Sequence, residues 1–142
     1  MAGINGAKVI IGGLVAGLVY NVLDIVNGML FMGEDFRANA VRLGIDPAAM
    51  ESTANMAVWI SIDFVFGILV VFTYAAIRPR FGAGPKTAAY AGIILYAAVT
   101  LIMLGLTQEQ LLTWPMFWKM AVVQLVVAIV GAVSGAAVYK EA

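Results

Sequence analysis

Four apolar runs of about twenty residues, separated by short charged stretches, dominate the chain. Residues 9–31, 55–77, 87–106 and 116–139 are each long enough to cross a hydrocarbon core about 30 Å thick as a helix rising ~1.5 Å per residue. The punctuation between them agrees. Gly33 precedes the charged pair Glu34 and Asp35, and Arg78 with Pro79 opens the segment RPRFGAGPK, whose Gly and Pro residues stop a helix. Pro115 stands just inside the fourth run, where its missing N–H removes no helical bond. The pattern predicts an all-α protein, a single membrane domain over residues 1–142 built as a bundle of four transmembrane helices. The first run is too long and too polar for the apolar part of a signal peptide, and no small-residue cleavage site follows it, so Met1 or Ala2 is expected to begin the mature chain.

The connection 32–54 has a pattern of its own. Phe36, Ala40 and Leu43 recur at helical spacing between charged neighbours, which predicts a short amphipathic helix lying on the membrane surface and ended by Gly44. Asp46 followed by Pro47 has the form of an N-cap and first helical position, so the second helix is expected to start near Ala48. Thr107 and Gln110 have capping-box spacing and predict a helical turn leading into Trp114 and Pro115.

Charge distribution sets the expected orientation. Lys8, Arg78, Arg80, Lys86 and Lys140 fall at one set of helix ends, whereas Arg37 and Arg42 are outnumbered at the other by Glu34, Asp35, Asp46, Glu51 and Glu109. Basic residues near span ends are retained in the cytoplasm, so both termini are expected inside and the loops 32–54 and 107–115 outside. Trp59, Trp114 and Trp118 then fall near the outer boundary and Tyr74, Tyr90 and Tyr139 toward the inner one, as aromatic belts require.

Composition narrows the chemistry. With 63% apolar and 11% charged residues, the chain's expected solvent is the lipid bilayer. Eight basic against eight acidic residues leave no footprint for nucleic acid. The absence of Cys and His removes disulfides, thiol chemistry, the usual zinc and haem ligands and any histidine base, and the eight Met residues show no spacing suited to metal. No catalytic residues, no metal and no cofactor are expected, and an enzyme is disfavoured.

What remains is polar groups inside the runs. Asp24 and Asp63 are carboxylates in apolar surroundings, where an ionisable side chain marks a functional site by default. On a wheel of 3.6 residues per turn, Gly13, Gly17, Asn21, Asp24, Asn27 and Gly28 share an arc of roughly 120°. Measured by helical rise, Asp24 lies about 10 Å, and Asp63 and Gln124 about 12 Å, from the outer ends of their runs. Asn21, Asn27 and Thr100 fall in the same half. The expected interior is an outward-open polar cup of Asn21, Asp24, Asn27, Asp63, Thr100 and Gln124 above a dry floor. The pair of carboxylates reads either as a site for a proton, a cation or an amine, or as a satisfied polar core. Lys119 is a possible counter-ion, or a side chain reaching back to the headgroups. Gly13, Gly17, Gly131 and Gly135 have the i, i+4 spacing of close helix packing, within one copy or between two.

The segments KVIIGGLVAG, GEDFRANAVRLGI and AAIRPRFGAGPKTA together give the chain a form that resembles uncharacterised small bacterial inner-membrane proteins with four spans. The resemblance covers most of the chain and implies a bacterial inner-membrane location and this topology. It carries no activity. The expected function is that of a small polytopic membrane protein acting by packing or binding, as an oligomer with itself or as an accessory subunit among other membrane subunits. The alternative is a small transporter or channel for a proton, cation or amine, worked by Asp24 and Asp63.

Overall fold

The computed structural model describes residues 3–140; Met1 and Ala2, expected to begin the mature chain, lie outside them. Helix α1 (Gly6–Asn27) passes through a π-helical turn (Gly28–Met32) into α2 (Gly33–Arg42), and a single turn, α3 (Pro47–Met50), precedes α4 (Thr53–Phe81), α5 (Pro85–Gln108) and α6 (Trp114–Val138). Among the described residues there is no strand, and four helices, counting α1 with α2 as one, are long and apolar enough to cross a membrane.

Local chemistry explains most of the helix limits. The side chains of Asn5, Ser52 and Thr113 accept hydrogen bonds from the backbone N–H groups of Lys8, Asn55 and Met116, capping the starts of α1, α4 and α6. Asp46 caps α3 in the same way, but that helix ends after one turn and Ser52 starts α4 afresh, so the second span does not begin near Ala48. The helix expected to stop before Arg78 and Pro79 continues to Phe81. Pro79 is within its last turn, and the stop falls at Gly82, whose φ of 84° suits glycine. Nor does Gly33 end the first helix. The π turn inserts there with Gly33 packed on the Gly28 carbonyl, and it leaves Met32 fully buried. Thr107 belongs to α5, where its hydroxyl donates to the Met103 carbonyl; Thr113 is the cap of α6.

The helices pack antiparallel in chain order, with α1 between α4 and α6. Backbones approach closely at both interfaces. A Cβ on Gly13 would meet the Ile68 Cα at 2.6 Å and one on Gly17 the Phe64 Cα at 2.7 Å, while one on Gly67 would collide with the Gly13 carbonyl. On the other side Gly12 and Gly135 face each other, each blocking a Cβ on its neighbour at 2.7 Å, and Gly131 lies under the Tyr20 ring. All four predicted packing glycines are therefore used within the monomer, which is how small residues let apolar helices gain dispersion contact.

Two apolar clusters result. A larger one of small and branched side chains, including Ala16, Val70, Val71, Ala88, Ala91 and Ala132, fills the half of the bundle nearest the termini. Tyr74 and Tyr139, expected at a lipid boundary, are buried here as an edge-to-face pair at 5.9 Å; their hydroxyls accept from the backbone N–H groups of Gly84 and Asn5. A smaller cluster, Met32, Met116 and Met120 with Phe36, Met103 and Leu112 against it, fills the opposite end. Flexible thioethers suit this irregular junction between the π turn, α2 and the start of α6.

Helix α2 closes that end as a cap. Asn39 donates to the Leu111 carbonyl at 3.1 Å, Arg42 to the Gln110 carbonyl at 2.7 Å, and Asp35 pairs with Lys119 at 2.7 Å. Phe36 and the buried Ala40 face protein.

Candidate functional site

Between the two apolar clusters lies a cavity of about 180 Å³ walled by all four long helices. Its polar groups are Asp24 from α1, Asp63 from α4, Tyr96 and Thr100 from α5 and Gln124 from α6, with Tyr20 toward the termini end. Trp59, Phe66 and Phe117 contribute aromatic surface, and Met103 and Met120 close the cap end.

The arrangement follows from two stripes on α1. Residues four apart lie nearly in line on a helix, and Gly12, Ala16, Tyr20 and Asp24 form one such line. Gly135 meets the first two, Gly131 the third and Gln124 the last, so this stripe faces α6. Gly13, Gly17 and Asn21 form the second line. They meet Ile68, Phe64 and the Ile60 carbonyl, so it faces α4. The single polar face expected from the sequence is thus divided between two neighbours, because adjacent positions differ by 100° around the helix.

This division sorts the expected site residues. Gln124 Nε2 donates to Asp24 Oδ1 at 2.8 Å, and Asp63 and Thr100 line the same cavity. Asn21 is buried outside it, donating to the Gly17 carbonyl at 2.9 Å and the Ile60 carbonyl at 3.4 Å. Asn27 is also buried outside it, with its Oδ1 lacking a hydrogen-bond partner. Lys119 is not a counter-ion to either buried carboxylate. It lies at the cap end of α6, and its ammonium is engaged by Asp35 of α2. Among the described residues, neither Asp24 nor Asp63 has a cationic partner.

Two tyrosines complete the walls. Tyr96 donates through its hydroxyl to the Ala121 carbonyl at 2.9 Å, and Tyr20 to the Ala128 carbonyl at 3.3 Å. With their hydroxyls held on α6, both rings are fixed against the cavity. Tyr20 is absent from the expected site, although its place four residues before Asp24 carried the signal.

The expected outward opening is also corrected. Met32, Met116 and Met120 form a buried cluster with Phe36 of α2 against it, and Met120 with Met103 also lines the cap end of the cavity. At the other end Tyr20, Gly92 and Ala128 form the floor. The walls therefore present two carboxylates and several aromatic side chains to a volume that is several times the ~30 Å³ share of one water and below the ~300 Å³ of a typical drug-sized pocket. Such a space suits a small cationic group. Among the described residues no group of three or more acidic, Cys or His side chains converges.

Comparison of the chain with protein-family models, curated proteins and solved structures finds no match. The chemistry of the site is accordingly argued from its own geometry.

Proposed function

We propose that this chain is a small polytopic membrane protein that acts by binding, and that its ligand is an organic cation or amine held between Asp24 and Asp63. The observation carrying this reading is that two carboxylates line one aromatic-walled cavity and, among the described residues, have no cationic partner. Two carboxylates facing a low-dielectric space repel when both are ionised, and a cation between them relieves that repulsion. Aromatic faces add cation–π attraction, which favours a substituted ammonium over a strongly hydrated metal ion. The Asp24–Gln124 hydrogen bond orients one carboxylate and leaves its second oxygen for the ligand.

The proposed setting is the inner membrane of a bacterium, with both termini in the cytoplasm. The five basic residues Lys8, Arg78, Arg80, Lys86 and Lys140 at the termini end support the orientation. The test is equilibrium binding of radiolabelled tetramethylammonium to the purified protein in nanodiscs. Asp24→Asn and Asp63→Asn are each expected to weaken it at least about ten-fold, as removal of a desolvated charge partner does. Unchanged binding in both variants would remove the carboxylates from the site.

A second reading, an accessory subunit or homo-oligomer, draws on the cap. The hydrogen bonds and ion pair that hold α2 on the α5–α6 turn and the start of α6 give an ordered surface, with Glu34 and Glu109 outside its ion pairs, for another membrane subunit. Native mass spectrometry of the protein extracted from its own membrane tests this. A stoichiometric partner or second copy supports it, and a bare monomer opposes it.

A further inference from the structure

Buried methionines cover the cap end of the cavity and Tyr20, Gly92 and Ala128 lie at its floor, which points to the side walls for an entrance. The four walls are unequal. Helices α1 and α6 have buried residues along both halves, whereas α4 has none before Gly67 and α5 none between Gly92 and Thr107. The cap-end halves of α4 and α5 thus pack less closely than the rest of the bundle, and the cavity lies behind them. Along the outer face of α4 at this level runs a shallow apolar groove formed by Ala57, Val58, Ser61, Ile62, Val65 and Phe66. Ile62 and Phe66 also line the cavity, so groove and cavity adjoin across these two side chains. The one hydroxyl in the groove makes no demand on a ligand, because Ser61 Oγ donates to the Ala57 carbonyl at 2.7 Å.

We infer that the cleft between the cap-end halves of α4 and α5 is the entrance to the cavity, and that it admits a single-chain amphipathic amine from the bilayer. The ammonium group sits between Asp24 and Asp63, and the hydrocarbon tail lies along the α4 groove. This rests on the cation-binding reading above and extends it to the route and the ligand class. Three observations converge on it. The cavity is too small for a long ligand, its two carboxylates have no cationic partner among the described residues, and the adjoining α4 surface is apolar. An amphiphile already in the bilayer meets the cleft directly.

The test compares two probes, tetramethylammonium and dodecyltrimethylammonium, with the protein in nanodiscs and binding referred to the probe concentration in the lipid. Wild type is expected to bind the long-chain probe at least about ten-fold more tightly than the headgroup alone. Ser61→Phe fills the groove from an exposed position, and it is expected to abolish that preference while leaving tetramethylammonium binding within about two-fold. Ala57→Phe, one turn away, is the second variant should the first fail to fold. If both probes weaken equally, or if the long-chain preference survives both variants, the groove is not the tail site and the inference falls while the cation site stands. If tetramethylammonium does not bind to wild type, or binds as well to Asp24→Asn and Asp63→Asn, both readings fall together.

Discussion

At the scale of single residues, Asp24 and Gln124 show how a polar group is kept inside an apolar bundle. Gln124 satisfies one oxygen of Asp24 across the α1–α6 interface. Replacing Gln124 with Leu leaves that carboxylate without its donor, and removing one partner of a half-buried hydrogen bond costs about 1–3 kcal/mol. Gln124→Leu is therefore expected to lower the thermal unfolding temperature in detergent, and adding Asp24→Leu is expected to recover most of the loss. Equal stability of wild type and the single variant would mean that the bond contributes nothing. The common level of Asp24, Asp63 and Gln124 was legible in the sequence from helical rise alone. The exclusion of Asn21 and the inclusion of Tyr20 were not, because a wheel tells which residues share an arc but not how many helices divide it.

Elements are held together chiefly through glycine. The α1–α4 interface places Gly67 between Gly13 and Gly17, where any side chain would strike backbone. Backbone cannot yield as the end of a flexible side chain can, so Gly67→Val is expected to destabilise by at least the 1–3 kcal/mol typical of overpacking, or about a helix interface if the pair separates. Gly105→Val is the matched control, since a Cβ there meets nothing within 4 Å. Thermal unfolding of the two variants decides the point, and equal stabilities would deny the close approach. The i, i+4 spacing of these glycines was readable from the sequence, but their partners were not. Element ends were less readable still. Gly33 and Pro79 are helix breakers by propensity, yet burial of Met32 carries the helix past the first, and the second sits in the last turn, where few further helical bonds depend on it.

At the scale of the whole molecule, the two ends of the bundle differ in both charge and construction. The termini end carries five basic residues and the short α4–α5 turn at Gly82 to Gly84, whereas the opposite end carries the cap and most of the acidic residues. The charge difference was plain in the sequence. The seating of the cap and the sparse packing of the cap-end halves of α4 and α5 were not, because they depend on how far neighbouring helices separate, and that is a property of pairs of faces. Orientation in the bilayer is where this asymmetry makes its clearest prediction. Lys and Arg near span ends hold loops in the cytoplasm, so the α4–α5 turn should face inward and the α5–α6 turn outward. The chain contains no cysteine, so a single introduced thiol reports its own position without background. With a membrane-impermeant maleimide, Glu109→Cys is expected to label in intact cells, and Ala83→Cys only after permeabilisation. The reverse pattern would invert the protein and place the acidic cap in the cytoplasm. Labelling of both sites in intact cells would rule out α5 as a spanning helix, and with it a cavity entered from the bilayer.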